Sequence, residues 1–392
     1  MARHAPPPIT IQPDPAFPEA EHRERLARAR FAIGQAGLDA VVCVAPEHLY
    51  YLAGFDGHTQ FSLQAFVFGT KKPEPTLVFR DVDILNARES SWVADMRVYH
   101  HGVDDPVALM AEAAREHAGP QGRIGVCYDS YALPGAAALR LVSALGERTT
   151  DATKLIEALR IQKSARELTY IRKAGAIAQA GLAGLRVAML EGLNELELAG
   201  AIESAMRVAG TEYSAMPTWL STGLRTRGSH RTPTARALKP GEPVKTEFAG
   251  VHRRYHAVTM QTLWLGKPSK EAAEAYDAAL EALRVGCEKV RVGNSVAEAE
   301  DAAFGVFKQR GFDVGLHARF GYGVSAAYPP SWLEGFDITR ESGEAFQANT
   351  SFVLHTLMPS ADGYGILIGG AYVLTEKGLE CLSGGDLELV VA

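Results

Sequence analysis

The chain has 392 residues, 47% apolar and 22% charged, with a formal net charge of −6 at neutral pH. That length exceeds one ordinary core and predicts two domains. The mild acidity excludes a general attraction to nucleic acid or to an anionic membrane, and no apolar run nears the roughly 18 residues that span a bilayer.

Residues 1–20 read as an N-terminal arm, rich in proline, without the apolar centre of a signal peptide, and ordered by contact with a partner subunit. Residues 21–158 read as an α/β domain. An amphipathic helix runs from His22 to Gly37, with Leu26, Ala29 and Ile33 on one face. Strands follow at Ala40–Val44, Ala65–Gly69 and Thr76–Phe79, then a helix at Pro106–His117 and a strand at Arg123–Cys127.

Residues 159–392 have a different rhythm. Ser164 and Glu167 have the spacing of a capping box and open a long helix, and a second helix covers Glu195–Val208. Val244–Phe248 and Val258–Leu265 read as paired strands, with the turn between Gly250 and Tyr255. Helices follow at Lys270–Val292 and Val296–Gln309, then strands at Ser351–Met358 and Tyr364–Leu374. Two helices, two strands, two helices and strands again form a structural duplication without a visible sequence repeat.

Cys43, Cys127, Cys287 and Cys381 are scattered through apolar stretches without a Cys-x-x-Cys pair. They read as small buried hydrophobes of a cytoplasmic protein rather than as a thiolate zinc site. The histidines show no metal spacing.

Several strings carry a family resemblance by their order. Arg160-Ile-Gln-Lys-Ser-Ala-Arg-Glu, Leu238-Lys-Pro-Gly-Glu and Val373-Leu-Thr-Glu-Lys-Gly resemble the catalytic-domain entry, the lead-in to the first catalytic strand and the last strand of the creatinase/aminopeptidase P superfamily. The resemblance implies a creatinase-like α/β N-terminal domain and a C-terminal α+β catalytic domain of the pita-bread fold. Its metalloenzymes hold two metals with two Asp, one His and two Glu, a donor set suited to activating water. Here those positions fall near Glu247 or Phe248, at Val258, at Val324, near His355 or Thr356, and at Gly369. The expectation is therefore an enzyme with no metal and no cofactor.

Among metal-free relatives, ectoine hydrolases are the better match. Tyr51-Leu-Ala-Gly-Phe-Asp-Gly, Glu247-Phe-Ala-Gly-Val-His-Arg-Arg-Tyr-His and Gly321-Tyr-Gly-Val-Ser-Ala-Ala-Tyr-Pro-Pro-Ser-Trp resemble their strings. Creatinases share only the Gly228-Ser229-His230 stretch, and their guanidinium-binding glutamates correspond to Met260 and a position near His355 or Thr356. The resemblance implies hydrolysis of a C–N bond in a small cyclic amidine or amide. Glu247 would serve as nucleophile or general base and His230 as acid/base. Tyr51, Phe55, Tyr255, Tyr328 and Trp332 are candidates for the walls of a pocket that holds a flat cation. Asp56, His256 and His355 complete the expected substrate-binding set. A substrate carboxylate calls for an arginine, and Arg225, Arg227, Arg231, Arg253 and Arg254 are the candidates.

Competing readings stay open. Glu247 on a buried strand is also explained by a structural ion pair, and His230 by an ordinary surface loop. The rival functions are another small-zwitterion hydrolase or lyase, and a binding protein that has lost catalysis. The resemblance also implies a homodimer acting on a small molecule, with no nucleic-acid or membrane partner.

Overall fold

The computed structural model describes residues 12–57, 61–190, 192–312 and 319–384. The chain divides into two compact units, Met1–Arg160 and Ile161–Ala392.

The N-terminal unit contains α1 (Glu19–Gln35), β1 (Ala40–Cys43), α2 (Pro46–Ala53), β2 (Ala65–Gly69), β3 (Thr76–Arg80), α3 (Ile84–Ser90), β4 (Asp95–Tyr99), α4 (Pro106–Ala118), β5 (Ile124–Val126), α5 (Gly135–Leu145), β6 (Thr149–Asp151) and α6 (Thr153–Ile161). Its six strands form one sheet in the order β4-β3-β2-β1-β5-β6. Side chains alternate across a strand, so one face carries Val41, Cys43, Phe66 and Phe68 while the other carries Ala40, Val42, Ala65 and Val67. The first face packs on residues of α1 and α2, the second on residues of α4 and α5. The first eleven residues of the expected arm lie outside the described residues. The rest of it is anchored within this unit: the Asp14 amide donates to the Glu89 carbonyl, and Phe17 is buried under the Arg25 guanidinium at 4.0 Å.

The C-terminal unit begins with α7 (Ala165–Ala188) and α8 (Glu195–Val208), followed by β7 (Trp219–Thr222), β8 (Pro243–His252) and β9 (Tyr255–Trp264). Then come α9 (Lys270–Lys289), α10 (Val296–Gln309), β10 (Gly321–Tyr328), β11 (Ser331–Ile338), β12 (Thr350–Pro359), β13 (Gly365–Thr375) and β14 (Gly378–Cys381). The capping box at Ser164 is formed: the Glu167 amide donates to Ser164 Oγ, and the Ser164 amide donates to Glu167 Oε2 at 2.8 Å. The sheet runs β11-β10-β12-β13-β9-β8-β7, with β14 on β13. One face is covered by the helices: Val244, Phe248 and Leu263 pack with residues of α7 and α8, while Phe352, Leu354, Ile366 and Ile368 pack with residues of α9 and α10. The residues that alternate with these, among them Val258, Met260, Tyr322, Val324, Val353 and Leu367, form a separate cluster on the opposite face.

β8 and β9 are longer than the sequence indicates and meet in a two-residue turn at Arg253 and Arg254, with φ of 48° and 65°. Such a turn needs positive φ at both central residues, and two arginines do not advertise it. Glu212 holds it, because its carboxylate accepts the Arg253 and Arg254 amides at 2.7 and 3.0 Å.

Candidate active site

The sheet register builds one row across five strands. Glu247 on β8 lies between Trp219 on β7 and Met260 on β9; Met260 faces Gly369 on β13, and Gly369 faces His355 on β12. Trp219, Glu247, Met260 and His355 of this row form part of the lining of a cavity of about 500 Å³. Leu220, Ser229, His230, Arg231, Lys245, Arg319, Tyr322, Trp332, Leu357 and Leu367 are also at its wall. That volume suits a small molecule.

Burial pushes the Glu247 carboxyl up to about 7, with the Lys245 ammonium pulling the other way. Lys245 lies two residues earlier on the same strand and therefore shares the cavity face. Burial brings its ammonium down to about 8, opposed by Glu247 and assisted by Arg231. Lys245 Nζ donates to the Gly228 carbonyl at 2.9 Å, tethering the loop that carries His230. His230 takes a left-handed backbone, φ 51°, and its ring stands 4.4 Å from that of Trp219. Burial, then Lys245, lowers its pKa, so the imidazole is neutral near pH 7. His355 is held at about 4 by burial and then by Arg319, and its Nδ1 is buried with no hydrogen-bond partner among the described residues. Burial, then Glu247, raises the Tyr322 phenol, which keeps its proton and accepts the Trp332 indole N–H at 3.2 Å.

Of the ten residues expected at the site, Glu247, His230, Trp332 and His355 line this cavity. The other six are not among the residues that line it. His256 is fully buried: its Nε2 accepts the Ala215 amide at 3.0 Å and its Nδ1–H donates to the Arg254 carbonyl at 2.7 Å, so neither nitrogen is left for a substrate. Tyr255 donates its hydroxyl to Glu167 Oε1 at 2.7 Å, anchoring the cap of α7. Tyr255→Phe is expected to lower stability by about 1–3 kcal/mol, because Glu167 loses a buried donor. Thermal unfolding checks this, and a change in catalysis at unchanged stability would contradict it. Tyr328 is buried at the end of β10, before a cis Pro329–Pro330 bond, and the Arg254 guanidinium lies 5.7 Å from its ring.

Tyr51, Phe55 and Asp56 belong to the N-terminal unit. Tyr51 donates its hydroxyl to the Leu159 carbonyl at 2.8 Å and carries Arg25 over its ring at 4.4 Å. Phe55 packs on Phe79 with ring centroids 5.6 Å apart. Both rings are core residues there. Asp56 is exposed, and its backbone amide donates to Ser90 Oγ at 3.1 Å.

The arginines sort in the same way. Arg225 pairs with buried Glu195, and Arg254 with Glu212. Arg231 is at the cavity, and among the described residues no carboxylate pairs with it. Arg319, absent from the expected set, is also at the wall and pairs with Asp337. Lys245, Tyr322 and Trp219 were missed as well. The two-residue spacing of Lys245 from Glu247 was the available signal; Trp219 had none.

At three of the positions that the resemblance assigns to metal ligands, Val258, Val324 and Gly369, the side chain offers no donor atom. Val258 and Val324 pack in an apolar cluster that also holds Met260. At Gly369 a Cβ would lie 2.3 Å from the Leu354 carbonyl oxygen and 2.5 Å from the His355 Cβ, so a glutamate at that position cannot fit without displacing its neighbours.

The two units are an α/β domain with a six-stranded sheet and a domain whose helix-backed sheet carries the cavity. Residues 169–376 match the model of metallopeptidase family M24, and residues 25–162 match the creatinase/prolidase N-terminal domain. The chain belongs to family M24, as a hydrolase. It is 30% identical to the ectoine hydrolase of Halomonas elongata over 97% of this chain and all of that protein. It is 23% identical to the Xaa-Pro dipeptidase of Lactobacillus helveticus, over 88% of this chain and 93% of that protein. Among solved structures, the dipeptidase PepE of Mycobacterium ulcerans superposes with a TM-score of 0.82 at 27% identity, covering 96% of this chain and 99% of that one. The Xaa-Pro dipeptidase of Bacillus anthracis superposes with a TM-score of 0.84 at 19% identity, covering 95% and 100%, and supports the fold. No helix among the described residues is long and apolar enough to cross a membrane.

Proposed function

We propose that this protein hydrolyses a C–N bond in a small cyclic amidine or amide bearing a carboxylate, in the manner of an ectoine hydrolase and without an active-site metal. One observation carries the proposal. This cavity holds Glu247, a carboxyl raised to about 7 by burial, at or beside the position of the metalloenzymes' first metal-binding aspartate, while Val258 and Val324 stand at two of the other ligand positions and offer no donor atom.

Ectoine is a six-membered cyclic amidinium with a carboxylate. As a base, Glu247 takes a proton from water while that water adds to the amidine carbon. The ring C–N bond then breaks as a proton reaches the departing nitrogen through His230. As a nucleophile, Glu247 adds to the same carbon, the ring C–N bond breaks as the departing nitrogen takes a further proton through His230, and water cleaves the resulting imidoyl–glutamate ester. Either route consumes one water and yields a ring-opened acid. Ionised Glu247 also attracts the cationic ring, and Trp219 and Trp332 supply aromatic walls. Lys245, Arg231 and Arg319 add positive charge to an otherwise largely apolar wall, which suits the substrate carboxylate. Arg231, without a carboxylate partner among the described residues, is its proposed fork. Arg231→Met is expected to raise KM roughly 10- to 100-fold with kcat little changed. Steady-state kinetics check this, and an unchanged KM would remove Arg231 from the role.

A peptidase of the Xaa-Pro dipeptidase kind is the second reading, favoured by the dipeptidase relatives. A panel of ectoine, 5-hydroxyectoine, creatine and an Xaa-Pro dipeptide, with products identified by mass, separates the two. The proposal expects a product one water heavier from a cyclic substrate and no dipeptide cleavage. Dipeptide cleavage alone would establish the peptidase.

A further inference from the structure

We propose that Cys43, His48 and Cys127 of the N-terminal unit form a binding site for one soft, closed-shell metal ion, zinc or copper(I). The two cysteines are 84 residues apart in sequence, but parallel pairing brings them together. Val42 on β1 pairs with Val126 on β5, and the Cys127 amide donates to the Val42 carbonyl at 3.0 Å. The next rung therefore sets Cys43 and Cys127 side by side on one face, with their sulfurs 3.8 Å apart. Helix α2 starts at Pro46, three residues past the end of β1, and its first turn brings His48 to the pair. One donor atom from each residue lies within 4.8 Å of the others, and all three residues are buried.

The sulfur spacing is the one an ion requires. Two thiolates at about 2.3 Å from zinc, at a tetrahedral angle, stand about 3.8 Å apart. Thiolate and imidazole together select zinc and copper(I) over hard cations. The independent observation is the imidazole. His48 is 1% exposed, and neither ring nitrogen has a hydrogen-bond partner among the described residues. Buried polar atoms are rarely left unpaired, and ordinary core packing gives no reason for a histidine here.

The charges balance. Binding zinc releases two thiol protons and leaves two thiolates, one neutral imidazole and Zn²⁺, a neutral unit suited to a dry core. Copper(I) with both thiolates carries a single negative charge, and the Arg160 guanidinium acts on His48 from nearby. Asp151 and Glu157 act on Cys127.

The test uses the full-length untagged protein, reduced, incubated with zinc or anaerobically with copper(I), and freed of loose ion. Metal analysis is expected to find about one equivalent of one of these ions, falling below about 0.2 equivalents in Cys127→Ala and in His48→Leu. Cobalt(II) loading of the wild type is expected to give a thiolate-to-metal charge-transfer band that Cys127→Ala abolishes, and this readout stands if His48→Leu fails to fold. No uptake of either ion by reduced wild-type protein would overturn the proposal. So would uptake that survives both substitutions, or a Cys43–Cys127 disulfide as the resident state of freshly isolated protein.

Discussion

Glu247→Gln is expected to lose about 10³-fold or more in kcat/KM and at the same time to stabilise the protein at pH 8. Both effects have one cause. The carboxyl moves from an ordinary value of 4.5 to about 7 on folding because the cavity desolvates its charge. A raised acid favours the fold most below its unfolded pKa, and that advantage is lost as pH rises through about 7. The fold carries the full penalty of the ionised carboxylate only above that range. The shift, which already includes the attraction for Lys245, corresponds to about 3 kcal/mol, and the cost of burying the amide in its place leaves about 1–3 kcal/mol of stabilisation in the variant. At pH 8 the variant should melt several degrees higher, at roughly 2–4 °C per kcal/mol. At pH 4.5 the difference should shrink towards zero. The wild-type kcat/KM should rise with pH through about 7, as the group needed for catalysis ionises. A variant that melts lower at pH 8, or that keeps wild-type turnover, would make Glu247 a structural ion-pair residue.

His230→Ala is expected to lose about 10²- to 10⁴-fold in kcat with thermal stability little changed. The side chain sits on an exposed loop, so its removal leaves no hole in the core. Its ring rests on Trp219 near Glu247, and its neutral state at pH 7 lets it take a proton and return it. Added imidazole should recover part of the rate in His230→Ala and none in Glu247→Gln. A loss of activity matched by a loss of folding, or no response to imidazole, would point to a packing role for the ring.

The strongly periodic helices were legible in the sequence. Glu195–Val208 and Val296–Gln309 match α8 and α10 residue for residue, and the capping box set the start of α7. β10 and β11 were not legible. β10 is a fully buried Gly- and Ala-rich strand with no alternation, and β11 alternates in burial but carries Gly335 in its middle.

The site was half legible. Glu247 and Trp332 lie in strings that stand out, and both reach the cavity. Tyr255 and His256 stand in the same unusual string as Glu247. They are spent on holding the fold, since strand alternation and the turn at Arg253–Arg254 direct them to buried partners. Distinctiveness of a string does not separate a residue that touches substrate from one that supports the strand. The Cys43–Cys127 neighbourhood was invisible for another reason: adjacency across parallel strands leaves no spacing signature.

The most direct test of the central claim is the rate of ectoine ring opening, measured in excess chelator and in excess manganese, cobalt or zinc. Wild-type protein and His48→Leu are compared, which separates any ion bound in the N-terminal unit from one at the cavity. The account predicts rates that agree within about twofold under all these conditions. Ring opening that chelator abolishes and an added ion restores, in wild type and in His48→Leu alike, would contradict it and place a metal at the reacting carbon.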